Sequence, residues 1–272
     1  MNHKGTKIQT LLTNYQINAS GCMNIIVLKT KEILGRHAAA MGAGLIREAI
    51  SGRGNANIIL ATGSSQFEML AALIEEDIDW SVVTCFHLDE YIGLSATYPA
   101  SFRKYLKERF TDKVTPRAFH YIDGEADPTS ECMRLGRLVA QHPVDVAFVG
   151  IGENAHLAFN DPPADFNTEQ AFLNVALDEA CRRQQLGEGW FEKPEEVPQR
   201  AISMSIKQIL KAKNIICSVP DSRKATAVQA VIEGPVIPEV PASILQQHER
   251  TTIFLDQKSS ALLTHSYRIA EE

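Results

Sequence analysis

The sequence predicts a three-layer α/β domain with a doubly wound, mostly parallel sheet of the Rossmann-like type. Short apolar runs alternate with segments of helical periodicity along nearly the whole chain. The apolar runs are continuous and do not alternate with polar residues, which is typical of parallel strands that helices cover on both faces. The length of 272 residues suits one large α/β domain and is short for two.

The predicted elements follow one another as strand and helix. Ile25–Leu28 is an apolar strand, and the segment from Glu32 to Ser51 has apolar residues spaced by three and four, with Gly52 as its stop. Residues 1–22 precede this patterning and are interpreted as an N-terminal extension of a single domain at 23–272. The other predicted strands are Asn57–Ala61, Val82–Leu88, Val144–Gly150, Ile202–Ser205, Asn214–Val219 and Thr251–Leu255. The other predicted helices are Gln66–Glu75, Ser101–Phe110, Thr129–Ala140, Ile206–Ala212 and Lys224–Ile232.

The composition favours a cytoplasmic protein without nucleic-acid or membrane partners. Its 33 Asp and Glu outnumber 27 Lys and Arg, and a net charge of −6 has the wrong sign for binding many nucleic-acid phosphates. The five cysteines are scattered without a C-x-x-C pair, which predicts neither disulfides nor a zinc knuckle. No apolar stretch has the roughly 18 residues of a membrane span, and residues 1–22 contain no signal-peptide core. Whether the protein forms a homo-oligomer stays open.

The first candidate for function is a turn that follows the strand Asn57–Ala61. In doubly wound sheets, ligands bind beyond the carboxyl ends of the strands. Here Thr62, Gly63, Ser64 and Ser65 offer backbone N–H groups and hydroxyls that suit a phosphate. The alternative is a simple tight turn in which Ser65 caps the next helix.

Charged residues follow two other strands. Asp89 and Glu90 come after Val82–Leu88, where one carboxylate can serve as a base, unless the two are a solvated pair that starts a loop. Arg223 and Lys224 begin a predicted helix, where the helix dipole disfavours cations by about 0.3–1 kcal/mol. An anionic ligand bound there would make the two cations favourable. The alternative is that Arg223 and Lys224 are exposed and that solvent screens the unfavourable interaction.

The longest motif is the segment 150–163, which reads GIGENAHLAFNDPP. His156 lies two residues after Asn154 and five before Asp161, so that its two ring nitrogens can have different partners. The alternative is that His156 has only a structural role. Gly150 and Gly152 are expected to let a substrate approach the backbone.

A metal site is the remaining possibility for these residues. The candidate ligands are His87, Asp89, His156 and Asp161. The chain has neither an H-E-x-x-H motif nor a cysteine cluster, and we expect no metal. The four strand-end motifs together predict a small phosphorylated substrate beneath a carboxylate and an imidazole, a site suited to proton transfer next to a carbonyl.

In order and spacing, the four motifs resemble those of the glucosamine-6-phosphate deaminase (isomerase) family. The motifs are Thr62–Ser65, Leu88–Leu94 (LDEYIGL), Gly150–Asn160 and Ser222–Ala225, and the resemblance covers about Met23 to Leu263. The related 6-phosphogluconolactonases usually have D-E-R and D-G-H-T-A-S at two of these segments. This chain has Tyr91 and Ala158-Phe159-Asn160 there, so it resembles the deaminase branch.

The resemblance implies a role for each motif. Asp89 would be the base that moves a proton from C2 to C1 of the opened sugar, and His156 would assist ring opening. Lys224 and the Thr62–Ser65 turn would hold the 6-phosphate. In the family an arginine from a mobile segment also contacts the phosphate. Arg182 and Arg183 are the nearest candidates here, within a lid expected at about 178–198.

Two positions depart from the family pattern. Asn154 stands where the family usually has aspartate, and it can accept a hydrogen bond from the imidazole but supplies no charge. Asp161 stands where the family usually has glutamate and is one methylene shorter. Both residues are included among the candidate catalytic residues.

The resemblance implies conversion of an amino-sugar 6-phosphate, first of all glucosamine 6-phosphate, into fructose 6-phosphate and ammonia, with no cofactor. Two alternatives stay open: lactone hydrolysis of the 6-phosphogluconolactonase type, and a non-catalytic sugar-phosphate sensor. No helix-turn-helix pattern accompanies the domain, but Asn154 keeps the sensor hypothesis open.

Overall fold

The structure is a computed structural model that describes residues 16–17, 23–265 and 267. Its strands are β1 (Gln16–Ile17), β2 (Met23–Leu28), β3 (Ala56–Leu60), β4 (Val83–His87), β5 (Asp89–Tyr91), β6 (Ala118–His120), β7 (Val146–Val149), β8 (Phe172–Ala176), β9 (Arg200–Met204), β10 (Asn214–Val219) and β11 (Thr251–Asp256). Its α-helices are α1 (Lys31–Arg53), α2 (Phe67–Leu73), α3 (Phe102–Leu106), α4 (Pro128–Ala140), α5 (Glu179–Gly187), α6 (Ile206–Ile209) and α7 (Ala225–Glu233). Within the predicted extension, β1 pairs antiparallel with β2, and the rest of residues 1–22 lies outside the described residues.

The main sheet has the strand order β1-β2-β11-β10-β7-β3-β4-β6. The seven strands from β2 to β6 in this order run parallel. Apolar side chains of α1 and α2 pack on one face of the sheet, and those of α4 and α7 pack on the other. The predicted fold class, a three-layer domain with a doubly wound, mostly parallel sheet, is therefore confirmed.

The sheet changes direction between β3 and β7. These strands are neighbours, but β3 leads to β4 on one side, whereas the next main-sheet strand after β7 is β10 on the other side. The loops after β3 and β7 therefore diverge and leave a crevice at their carboxyl ends, which is where doubly wound folds bind ligands.

A second, antiparallel sheet has the order β5-β9-β8. The strand predicted at Ile202–Ser205 belongs to this sheet as β9. A cluster of aromatic side chains packs beside it: Tyr91, Phe102, Phe159 and Phe191. The sequence analysis did not predict β5, β6 and β8, since strands of three residues are too short for periodicity and β8 is partly exposed.

Two predicted helix ends differ from the structure. Gly52 does not stop the first helix, because α1 continues to Arg53 and ends at Gly54, whose φ of 80° lies in the left-handed region that glycine adopts readily. The predicted helix Ser101–Phe110 is the short α3 followed by a π-helical turn at Lys107–Thr111. Within the described part of the chain, no helix is both long enough and apolar enough to cross a membrane.

Candidate active site

A pocket lies at the carboxyl ends of β3, β4, β7 and β10, where the sheet changes direction. Seven sequence-predicted site residues line it: Thr62, Gly63, Ser64, Ser65, Asp89, His156 and Lys224. The motifs are far apart in sequence, but each follows a parallel strand, so their functional groups meet at one edge of the sheet.

Asp89 lies where the chain passes from the main sheet into the second sheet. Only Leu88 separates β4 from β5, and Asp89 is the first residue of β5, paired with Ser203 of β9. The side chain is 7% exposed. Burial and the nearby Glu90 charge raise the pKa of Asp89 to about 8, although a hydrogen bond from the backbone of Phe159 opposes this rise. A carboxyl group with this pKa can exchange protons near neutral pH, as a general base must.

Glu90 has a structural role and is not part of a solvated acidic pair. It is fully buried on the other side of β5. Its carboxylate accepts hydrogen bonds from the Ser101 hydroxyl (2.9 Å) and from the backbone N–H groups of Tyr91, Phe102 and Arg103. Glu90 therefore fixes the start of α3, while Asp89 is the carboxylate that faces the pocket.

His156 is held against Asp161 in the loop after β7. The imidazole Nδ1 lies 3.1 Å from Asp161 Oδ1. Burial alone would raise the pKa of Asp161, but the His156 imidazole and hydrogen bonds from the Asp178 backbone and the Asn154 amide outweigh it and hold this pKa below its usual value. The imidazole thus has a charged partner, and the pairing orients its other nitrogen.

The backbone of this loop is shaped around the imidazole. A Cβ atom at residue 152 would lie 2.3 Å from His156 Nε2, so only glycine fits there. The sequence predicts that this space admits substrate, but the imidazole occupies it. Ala155 and Ala158 have φ angles of 64° and 52°, which are costly for residues with a Cβ. Such strain is concentrated at functional sites in proteins.

Asn154 does not contact the imidazole ring, which corrects the predicted pairing. Its Oδ1 accepts from the backbone N–H of His156 (3.1 Å). Its Nδ2 donates to Asp161 Oδ1 at 3.1 Å and to Asp178 Oδ2 at 3.2 Å. Asn154 is therefore a neutral bridge between two carboxylates, and Asp161 supplies the charge beside His156.

The same pocket is lined by a buried cation, Lys224. Lys224 ends a 3-10 turn just before α7 and is 4% exposed. Burial lowers its pKa, and the charges of Glu188 and Glu153 partly oppose that shift. Among the described residues its ammonium group has no ion-pair partner within 4.0 Å. The turn Thr62–Ser65 lies beside it, with the Gly63 carbonyl held by the Tyr105 hydroxyl at 3.0 Å.

Arg182 and Arg183 do not line the pocket in this structure, and the expected contact of one of them with the phosphate stays a prediction. Arg182 donates to the carbonyl groups of Pro194 and Val197. Arg183 is exposed and lies 3.9 Å from Glu179. Both are on α5, but on the side of the helix that faces away from the site.

Three residues that the sequence analysis missed line the pocket from α5 and its C-terminal end: Gln184, Gln185 and Glu188. With Cys181 they recur at positions i, i+3, i+4 and i+7, a helical face made of polar residues. The Tyr91 hydroxyl donates to Gln185 (2.7 Å), and Gln184 accepts from the backbone of Glu153 (2.8 Å). This helical spacing was the available signal, but a search for apolar periodicity overlooks it.

His156, Asp161 and Cys181 are the described residues whose ligand atoms come together most closely, all within 4.8 Å. The histidine and aspartate atoms already contact each other. Burial and the neighbouring carboxylates raise the pKa of the Cys181 thiol far above its usual value, which disfavours the thiolate that metals bind. This group therefore fits a hydrogen-bonded cluster better than a metal site.

Comparison with known proteins places these motifs in one family. The family model for glucosamine-6-phosphate isomerases/6-phosphogluconolactonase matches residues 29–254. A glucosamine-6-phosphate deaminase of Listeria monocytogenes serotype 4b (strain CLIP80459) is 39% identical over 207 residues, 75% of this chain and 86% of the relative. A glucosamine-6-phosphate deaminase of Bacillus cereus (strain B4264) is 36% identical over 251 residues, 92% of each chain.

Solved structures agree with this assignment. A monomeric glucosamine-6-phosphate deaminase superposes with a TM-score of 0.80 at 31% identity, covering 88% of this chain and 99% of the other. A 6-phosphogluconolactonase from Trypanosoma brucei has a TM-score of 0.73 at 17% identity, covering 92% and 100%, which shows a shared fold alone. Because the family model and these relatives match most of the chain, and because the pocket is lined by the strand-end motifs, the chain belongs to the glucosamine-6-phosphate isomerase/6-phosphogluconolactonase family.

Proposed function

We propose that the protein converts an amino-sugar 6-phosphate, first of all glucosamine 6-phosphate, into fructose 6-phosphate and ammonia. The observation that carries this proposal is the arrangement of one pocket: Asp89 and His156 lie in the same pocket as the buried cation Lys224. The names of the relatives at 36% and 39% identity support the same substrate.

Asp89 is the proposed base. In the opened sugar it takes the proton from C2, the electron pair passes to the C1 carbonyl, and the C1 oxygen takes up the proton that the C2 ammonium group gives up. Asp89 then returns its proton to C1, which leaves a hydroxyl group on C1 and a protonated imine at C2. Water adds to this imine, and ammonia leaves. The pKa of Asp89, about 8, makes the carboxylate a strong enough base to take this proton and its acid form able to return it near neutral pH.

His156 is the proposed acid–base for ring opening. Its Nδ1 is turned towards Asp161, so Nε2 is the ring nitrogen left for the sugar ring oxygen. Delivering a proton to that oxygen opens the ring and exposes the C1 aldehyde that the isomerisation needs. The proposal requires no metal or other cofactor.

Lys224 and the Thr62–Ser65 turn are the proposed phosphate site. A buried ammonium group without an ion-pair partner is costly unless a ligand supplies the missing charge. Thr62, Ser64 and Ser65, which carry hydroxyl groups, line the same pocket as Lys224. Binding the phosphate there positions C1 and C2 at the other end, next to Asp89 and His156.

Release of ammonia from glucosamine 6-phosphate tests this function. We expect ammonia and fructose 6-phosphate in equal amounts, and none from unphosphorylated glucosamine at the same concentration. Acid release from 6-phosphogluconolactone without ammonia would indicate the lactonase alternative. Binding of the sugar phosphate without any turnover would indicate a sensor.

The proposed location is the cytoplasm. Cys85, Cys132, Cys181 and Cys217 are all free thiols, as expected for a protein kept in a reducing compartment.

A further inference from the structure

A carboxylate of the protein itself lies at the end of the pocket proposed for the phosphate. Glu188 follows α5 directly and lines the pocket together with Lys224 and the Thr62–Ser65 turn. Its Oε2 accepts from the Ser64 hydroxyl and from Trp190 Nε1, both at 3.1 Å. Its Oε1 accepts from Gln184 Nε2 at 2.8 Å. Glu188 thus uses one of the hydroxyl groups that a bound phosphate would use.

The negative charge of Glu188 also interacts with Lys224, the cation that a bound phosphate would need. Burial by itself raises the pKa of Glu188, but the Lys224 charge and the donors Gln184, Trp190 and Ser64 outweigh burial and lower it, so the carboxylate is ionised at neutral pH. The two groups do not form an ion pair within 4.0 Å, and both line the pocket, whose space a phosphate would enter. A phosphate dianion placed in that space would have a like charge beside it.

We propose that Glu188 is a specificity-determining residue that competes with the substrate's phosphate for the Ser64 hydroxyl and the Lys224 charge. This proposal rests on the proposed function, since it concerns the same phosphate site. Glu188 lowers the affinity for a phosphorylated sugar and leaves the affinity for the unphosphorylated sugar unchanged. It therefore sets how strongly the site discriminates between the two.

The position of Glu188 gives this competition a structural consequence. Glu188 comes directly after α5, whose residues Gln184 and Gln185 also line the pocket. When the phosphate takes over Ser64 and Lys224, the Glu188 carboxylate has to turn away while keeping its bonds to Gln184 and Trp190. Its negative charge remains in the site and continues to repel the phosphate, which lowers the affinity for the phosphorylated sugar.

Binding of glucitol 6-phosphate and of glucitol tests the proposal. These open-chain sugars have no carbonyl group and cannot react, so calorimetry measures affinity alone. Glu188→Gln keeps the size of the side chain and an oxygen acceptor for Ser64 or Trp190, but removes the charge. We expect the Kd of glucitol 6-phosphate to fall about tenfold in Glu188→Gln, the order expected for removing one nearby like charge, with no change for glucitol.

Two further variants make the outcome decisive. Glu179→Gln removes a charge from the exposed first turn of α5 and should bind both sugars like the unmodified protein. Glu188→Ala removes the charge and all three contacts, and it should also favour the phosphorylated sugar. An unchanged or raised Kd for glucitol 6-phosphate in Glu188→Gln would overturn the proposal, as would equal changes for both sugars.

The same measurement separates this proposal from the proposed function. If Lys224→Ala fails to weaken glucitol 6-phosphate binding, the phosphate site itself is misplaced and the proposed function loses its support. If Lys224→Ala weakens binding but Glu188→Gln does not strengthen it, only the competition is refuted. Absence of measurable binding to every variant, Glu188→Gln included, would refute both.

Discussion

At the scale of single residues, the central one is Asp89, whose carboxyl group is buried. Its pKa of about 8 means that the acid form predominates below pH 8 and the carboxylate above it. A general base works in the ionised form, so kcat/KM should rise with pH and level off above about pH 8. A pH–rate profile from pH 5 to 9.5 checks this expectation. A profile already flat from pH 5 to 8 would show that no group with such a pKa is the base.

The same pKa predicts a stability effect of Asp89→Asn. The folded protein holds the Asp89 proton with a pKa of about 8, whereas the unfolded chain has the ordinary value of 3.8. The folded state therefore binds more protons between these values, and the unmodified protein loses stability as pH rises from about 4 to 8. The asparagine variant has no such loss. Thermal unfolding should show it to be more stable at pH 8 and equal to the unmodified protein at pH 3.5; a less stable variant at pH 8 would contradict the shift.

Lys224 provides a test of the phosphate site. Lys224→Ala removes a charged partner, so it should weaken binding of glucitol 6-phosphate by about 1.5–3 kcal/mol, the range for hydrogen bonds to charged groups. Binding of glucitol should change little. Calorimetry with both ligands measures the difference, and equal losses for the two would place the phosphate elsewhere.

Asn154 is better understood from its contacts than from its place in the motif. Because its amide donates to both Asp161 and Asp178, Asn154→Asp would replace two hydrogen bonds by repulsion among three carboxylates. We expect a loss of about 1–3 kcal/mol in the free energy of unfolding and lower activity. The double variant Asn154→Asp with Asp178→Asn restores the charge count and should recover most of both. A single variant as stable and active as the unmodified protein would refute the bridging role.

At the scale of elements, α5 is the part of the site that is hardest to predict from the sequence. The segment from about Asp178 to Pro198 was expected to be a lid, and no helix was predicted there, yet it contains a helix that Asp178 caps. The helix is tied to the histidine loop, because the Asp178 backbone N–H donates to Asp161 Oδ2 at 3.0 Å. The buried polar face of α5 explains why apolar periodicity did not reveal it.

These ties predict that ligand binding is transmitted to α5. Hydrogen exchange of the backbone amides in Glu179–Gly187 should slow on addition of glucitol 6-phosphate, since Gln184 and Gln185 line the pocket and Asp178 contacts Asp161. The backbone amides of α4, which does not line the pocket, serve as an internal reference that should not change. Equal exchange in α5 with and without ligand would mean that this segment is not a lid.

At the scale of the whole molecule, the sequence predicts the features that follow from the order of strands and helices along the chain. Continuous apolar strands separated by helices imply a parallel sheet, and parallel strands bring the residues after their carboxyl ends together. Asp89, His156 and Lys224 could therefore be assigned to one site before the structure was known. The second sheet was missed because β5 has only three residues and its partner β9 lies far along the chain, with Asp89 paired to Ser203.

Contacts between side chains were less predictable. The spacing of Asn154 and His156 suggested a hydrogen bond between their side chains. Because the two residues are only two positions apart in a turn, the Asn154 amide oxygen accepts from the backbone N–H of His156 and does not reach the ring. Arg182 and Arg183 have the right charge for phosphate, but the rotation of α5 turns Gln184, Gln185 and Glu188 inward. Such details depend on helix phase and loop geometry, which a single sequence does not determine.

The most direct test of the proposed chemistry follows the hydrogen at C2 of glucosamine 6-phosphate during turnover in deuterated water. Transfer by one base between C2 and C1 predicts fructose 6-phosphate whose C1 carries either the original C2 hydrogen or the solvent deuterium that replaced it on Asp89, released together with ammonia. The Asp89→Asn variant should show neither transfer nor exchange. Ammonia released with an aldose product that keeps its C2 hydrogen, or exchange at the unmodified rate in Asp89→Asn, would contradict the assignment of Asp89 as the base.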